Sequence, residues 1–75
     1  MANRDTPTAA QRKYLAEAIR VFCGECFGLG EMRRGGTRVG RACLAHGWLA
    51  EHRGLSSYFV THAGRAALER AERSE

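Results

Sequence analysis

Short segments with different hydrophobic periods follow one another between residues 37 and 68, and a glycine or a capping residue separates them. Thr37 opens a helical pattern, and Gly47 ends it in the manner of a left-handed C-terminal cap. Two strand patterns then surround a loop that contains Gly54, and Thr61 is placed to cap a last helix. The segments before that helix are residues 37–46, 48–52, 53–56 and 57–61. This order predicts a helix, a β-hairpin and a second helix around one small core.

An amphipathic helix is predicted ahead of this region. Its start is marked either by Thr6 before Pro7 or by a capping box in which Thr8 stands three residues before Gln11. Its end is expected near Gly24. The predicted apolar face holds Leu15, Ala18, Ile19 and Phe22, and the polar face holds Arg12, Lys13, Glu17 and Arg20.

Residues 26–36 contain four glycines and alternate poorly between apolar and polar side chains. Two interpretations stay open for them: a loop, or an irregular strand around residues 29–33 that pairs with the later hairpin. The segment is too short for a further helix of ordinary length.

The helix after Thr61 has a narrow apolar stripe formed by Ala63, Ala67, Leu68 and Ala71. Gly64 would allow another element to pack closely against it. Glu69 and Arg73 are spaced for a weak helical ion pair on the outer face.

Positive charge is concentrated around the middle helix. No acidic residue lies between Glu31 and Glu51, and the chain as a whole carries 12 Lys and Arg against 8 Asp and Glu, a net charge of +4.

Projected at about 100 degrees per residue, residues 38–46 divide into two arcs. Val39, Gly40, Cys43 and Leu44 form an apolar arc, and Arg38, Arg41, Ala42 and Ala45 form the opposite one. Two long arginine side chains beside two small alanines would allow this face to enter a DNA major groove, which is about 12 Å wide.

The order from the middle helix onward resembles the second half of a winged-helix DNA-binding domain. The similarity rests on the turn at Gly47, the apolar pair Trp48-Leu49 that opens a strand, the second strand ending in residues 58–61, and the threonine-capped helix. It implies an α+β fold with three helices and a two- or three-stranded β-wing.

The resemblance also implies a function and the residues that carry it. Arg38 and Arg41 would contact base edges or phosphates of duplex DNA, Arg33 and Arg34 would contact phosphates, and Arg53 would lie in the wing; Ala42 and Ala45 would face the groove. By analogy the chain would regulate transcription or assist a mobile element. A protein-binding adaptor is the alternative, favoured by exposed Trp48, Tyr58 or Phe59. Whether the chain forms a homodimer stays open.

The cysteines admit several interpretations. Cys23 and Cys26, followed by Cys43 and His46, have the spacing of a tetrahedral structural zinc site. Alternatively, Cys23 and Cys43 continue apolar faces and behave as small buried hydrophobes. A thioredoxin-like redox role is disfavoured because no strand precedes Cys23.

Several other classes are not supported. The sequence has no nucleophile elbow, phosphate-binding glycine loop or paired carboxylates in an apolar setting, so we do not expect an enzyme. No apolar run approaches the roughly 20 residues that span a bilayer, and no secretory signal is evident, so we expect a cytoplasmic protein without membrane contact. Residues 1–5 are predicted to be a disordered tail, and residues 6–75 a single domain.

Overall fold

Three helices and one antiparallel hairpin make up the fold. The computed structural model describes residues 6–32, 36–54 and 56–73; the predicted tail at residues 1–5 lies outside them. In chain order the elements are α1 (Ala9–Phe22), a 3-10 turn (Leu29–Glu31), α2 (Gly36–Ala45), β1 (Leu49–Glu51), β2 (Tyr58–Val60) and α3 (His62–Arg73). The α+β class and the place of the hairpin between α2 and α3 are as the sequence predicts.

The capping box at Thr8, rather than Thr6 with Pro7, begins α1. The Thr8 hydroxyl accepts a hydrogen bond from the Gln11 amide (3.2 Å), and the Gln11 side chain accepts one from the Thr8 amide (2.8 Å). After Phe22, Cys23 and Gly24 both adopt positive φ angles, 58° and 70°. These left-handed residues end the helix where the sequence places its end.

Tyr14 joins α1 to the segment that precedes α2, a role the sequence pattern does not reveal. Its side chain is fully buried, and its hydroxyl donates to the Leu29 carbonyl (2.8 Å). Burial raises its pKa well above the ordinary value of a tyrosine. Gly40 of α2 lies directly against the ring, since a Cβ atom added there would be 2.6 Å from the Tyr14 hydroxyl oxygen. The absence of a side chain at Gly40 therefore lets α2 pack close to α1.

The hairpin has a fixed register. Leu49 pairs with Val60 and both side chains are buried, whereas Glu51 pairs with Tyr58 next to the connecting loop. The other edge of β2 is bonded at two points: Phe27 and Tyr58 exchange two backbone hydrogen bonds of 3.1 and 2.8 Å, and the Val60 amide donates to the Gly24 carbonyl (2.8 Å).

The pairing with β2 therefore involves Phe27. Of the two interpretations left open for residues 26–36, the irregular strand around residues 29–33 is wrong over the part that is described. The Gly28 amide donates to the Glu31 carboxylate (2.5 Å), and the Glu31 amide donates to the Gly28 carbonyl (3.1 Å). These two bonds curl residues 29–31 into a 3-10 turn, so the chain is not extended there.

Thr61 caps α3 as predicted, with its hydroxyl oxygen accepting from the Gly64 amide (3.0 Å). Gly64 is buried against the backbone of Trp48. The inner stripe consists of Gly64, Ala67, Leu68 and Ala71, and the assignment of Ala63 to it is wrong. Because Gly64 takes the inward position in the 64, 67, 68, 71 series, Ala63 is turned to the exterior, where it is exposed.

The outer face of α3 carries the predicted ion pair between Glu69 and Arg73. Across the residues that the structure describes, no helix has the length and apolar character that crossing a bilayer would require.

Gly40→Ala should destabilise the protein by about 1 to 3 kcal/mol, because the new methyl group must displace the Tyr14 ring or the Leu29 side chain. In an unobstructed helix the same substitution would stabilise by about 1 kcal/mol. Urea denaturation followed by circular dichroism measures the difference. In a Tyr14→Phe background, which lacks the hydroxyl, the loss should be smaller. Stabilisation by Gly40→Ala in both backgrounds would show that α1 and α2 do not approach this closely.

Candidate nucleic-acid interface

The outer arc of α2 faces the exterior as the periodicity predicts. Arg38, Arg41 and Ala45 are exposed and Ala42 is half-buried. On the opposite side Cys43 is completely buried and Gly40 is held against Tyr14. Because both inward positions are fixed by packing, the helix cannot rotate to hide the two arginines without breaking the core.

The Arg38 and Arg41 side chains have no hydrogen-bond or ion-pair partner among the residues described. Other arginines of the chain are engaged within the fold. Arg65 donates to the Cys23 carbonyl (3.0 Å), and Arg73 pairs with Glu69. The guanidinium groups of Arg38 and Arg41 therefore keep their donors available, in a stretch of sequence that has no carboxylate. A planar guanidinium with unused donors matches phosphate oxygens and guanine edges.

The hairpin tip contributes one further cation. Arg53 is exposed, and Gly54 after it has a φ of 76°, which the turn requires. The other predicted phosphate contacts, Arg33 and Arg34, lie outside the described residues, so the structure leaves their placement untested.

The aromatic side chains near this surface are largely withdrawn from it. Trp48 is only 3% exposed, while Tyr58 and Phe59 are half-buried. The imidazole of His46 stacks on the Trp48 indole with ring centres 4.2 Å apart and planes 10° from parallel. Sequence reasoning missed this stack, because the pattern predicts the turn at Gly47 but not the orientation of the two rings that flank it.

The four predicted zinc ligands are not brought together. Cys43 is completely buried in the core, whereas Cys23, Cys26 and His46 are exposed. Within residues 6–32, 36–54 and 56–73, no three His, Cys, Asp or Glu side chains are grouped so as to hold a metal ion. The donor set therefore does not fit a tetrahedral site in this arrangement, and metal analysis of protein purified without chelator tests the zinc prediction directly.

A shallow groove of about 420 Å³ lies beside the end of α1, on a surface that the sequence analysis did not single out. It is lined by Gly24, Glu25, Cys26, His52, Phe59, Val60 and Arg65. The Nε2 atom of His52 donates to the Glu25 carbonyl (2.5 Å), which ties the base of the hairpin tip to the turn after α1.

No protein-family model matches the chain, and neither a curated protein nor a solved structure matches it significantly.

The three thiols should differ sharply in reactivity. Burial raises the pKa of Cys43 from 9.0 to about 12, so this thiol stays protonated at pH 8 and is also inaccessible. Native protein treated with iodoacetamide at pH 8 should therefore be alkylated at Cys23 and Cys26 only. In denaturant, Cys43 should react as well. Equal labelling of all three thiols in native protein would contradict the burial of Cys43.

Proposed function

We propose that this chain binds duplex DNA, with α2 lying in the major groove and the hairpin acting as a wing. The observation that carries the proposal is the pair of exposed guanidinium groups at Arg38 and Arg41, which have no partner among the residues that the structure describes. They lie three residues apart on a helix, with Ala42 and Ala45 beside them, so a groove wall can approach without obstruction by large side chains.

The order of elements supports a winged-helix interpretation of this surface. In such domains a recognition helix is followed by a hairpin whose tip contacts the adjacent minor groove or backbone. Here Gly47 ends α2, β1 starts two residues later, and the tip carries Arg53. Phosphate contacts from Arg53, and from Arg33 and Arg34 before α2, would add affinity without sequence selectivity.

The biological role would be regulation of transcription or assistance to a mobile element, an inference from fold-level analogy. The adaptor alternative would need exposed aromatic anchors, which commonly dominate protein interfaces. With Trp48 buried beneath His46, and Tyr58 and Phe59 half-buried, the rings considered for that role offer less surface than the arginines.

Replacing Arg38 and Arg41 together with alanine should weaken binding to a short duplex at least tenfold, since each lost contact costs about 1 kcal/mol or more. The slope of log affinity against log salt should become shallower by about 2, one unit for each lost phosphate contact. Fluorescence anisotropy with a random-sequence duplex at several salt concentrations measures both quantities. Because both side chains point away from the core, the thermal midpoint should stay nearly unchanged.

A matched control removes the same charge elsewhere. Lys13 and Arg20 are exposed on α1, so Lys13→Ala with Arg20→Ala lowers the net charge by the same two units. Binding lost equally in both double variants would indicate attraction to net charge rather than an interface on α2. If the unaltered protein binds no duplex at low salt, the DNA proposal is wrong and a protein partner becomes the function to seek.

A further inference from the structure

Cys23 lies in a tight turn at the end of α1, and Cys26 follows directly after that turn. Cys23 and Gly24 have successive left-handed φ angles, and the Glu25 amide donates to the Phe22 carbonyl (3.1 Å). The turn therefore runs from Phe22 to Glu25 and includes Cys23. Three extended residues would span about 10 Å; because the left-handed residues at 23 and 24 keep the path from being extended, the Cα atoms of Cys23 and Cys26 lie closer than this, toward the separation that a disulfide needs.

Cys23 and Cys26 are both exposed, whereas the third cysteine of the chain is completely buried. An oxidant in solution can therefore reach the pair and not Cys43. Because Cys43 is shielded from the oxidant, the bond between Cys23 and Cys26 is the intramolecular disulfide that the folded chain can form.

The turn is also held from two sides. The Arg65 guanidinium of α3 donates to the Cys23 carbonyl (3.0 Å), and His52 donates to the Glu25 carbonyl (2.5 Å). In addition, the Val60 amide of β2 donates to the Gly24 carbonyl (2.8 Å). The backbone between the two cysteines is thus the place where α1, the hairpin and α3 are joined.

From this arrangement we propose that Cys23 and Cys26 form a reversible disulfide that covalently locks the turn joining α1, the hairpin and α3. The reaction partner is a small-molecule disulfide such as oxidised glutathione. One protein sulfur attacks the small disulfide and displaces one glutathione thiol, which takes up the proton. The second protein sulfur then attacks the mixed disulfide and releases the second glutathione. Overall, the protein dithiol loses two hydrogens and two glutathione thiols are formed.

The proposal differs from a thioredoxin-like catalyst, because the pair here modifies its own chain rather than a substrate. It also does not depend on DNA binding, so either proposal can fail without the other. Outside hyperthermophiles, disulfides of reducing compartments are usually transient, catalytic or sensing ones.

Mass spectrometry after exposure to oxidised glutathione tests the bond. The native 75-residue protein is incubated with chelator present, so that bound metal cannot shield the thiols, and is then alkylated in denaturant. Trypsin leaves Cys23 and Cys26 together in the peptide of residues 21–33 and Cys43 in the peptide of residues 42–53. We expect the first peptide to be two hydrogens lighter and unlabelled, and the second to be alkylated. Stable glutathione adducts or disulfide-linked dimers as the main product would overturn the proposal.

Single variants separate the roles of the three cysteines. Cys43→Ser should form the bond as the unaltered protein does. Cys23→Ser and Cys26→Ser should each stop at one glutathione adduct that a thiol reductant removes. The mass of the peptide from the unaltered protein is enough to show whether the disulfide forms. A variant that fails to fold therefore does not weaken this test.

Amide hydrogen exchange tests whether the disulfide holds the turn, β2 and α3 together. In the oxidised protein the Val60 amide, which donates into the turn, should exchange more slowly than in the reduced protein. An amide in the middle of α2, such as that of Ala42, serves as the comparison. Unchanged exchange at Val60 would mean that the bond forms without holding the junction, and the locking role would be wrong.

Discussion

The contact between Tyr14 and Gly40 determines how the rest of the molecule is arranged. The phenol ring is completely buried, its hydroxyl donates to the Leu29 carbonyl, and α2 crosses it at Gly40, a position that lacks a side chain. A buried hydroxyl without a partner would be costly, so the hydrogen bond also positions the segment before α2. This contact sets the rotation of α2, which directs Arg38 and Arg41 outward.

The hairpin depends on a second set of contacts, made mostly by backbone atoms. On one side the Thr61 amide and hydroxyl bond to the carbonyls of Trp48 and Gly47 (2.9 and 2.6 Å). On the other side β2 is supported by Gly24 and Phe27. A two-stranded hairpin alone is marginally stable in water, so support from both sides explains how strands of three residues persist.

Much of the fold could be predicted because local rules and tertiary packing agree. The Thr8 capping box, the stop at Gly47 and the Thr61 cap act within four residues, and the inner arc of α2 follows the helical period. Apart from Ala63, which the helical pattern placed on the wrong face, the misses are non-local. The sequence does not show that Tyr14 reaches Leu29, or that Phe27 rather than residues 29–33 pairs with β2. The zinc prediction rests on linear spacing alone, and the structure places Cys43 in the core while the other three predicted ligands are exposed.

The proposed interface has an energetic consequence for so small a fold. An isolated helix of ten residues is not stable in water, so α2 is maintained by packing at Gly40 and Cys43 rather than by its own propensity. Its outer arc adds two cations that have no ion-pair partner within the described part of the chain, and such uncompensated charge contributes self-repulsion. A polyanion would neutralise that charge while binding only the folded arrangement, so binding and folding would favour one another. The two exposed arginines that make α2 a candidate interface therefore do not stabilise the unbound domain.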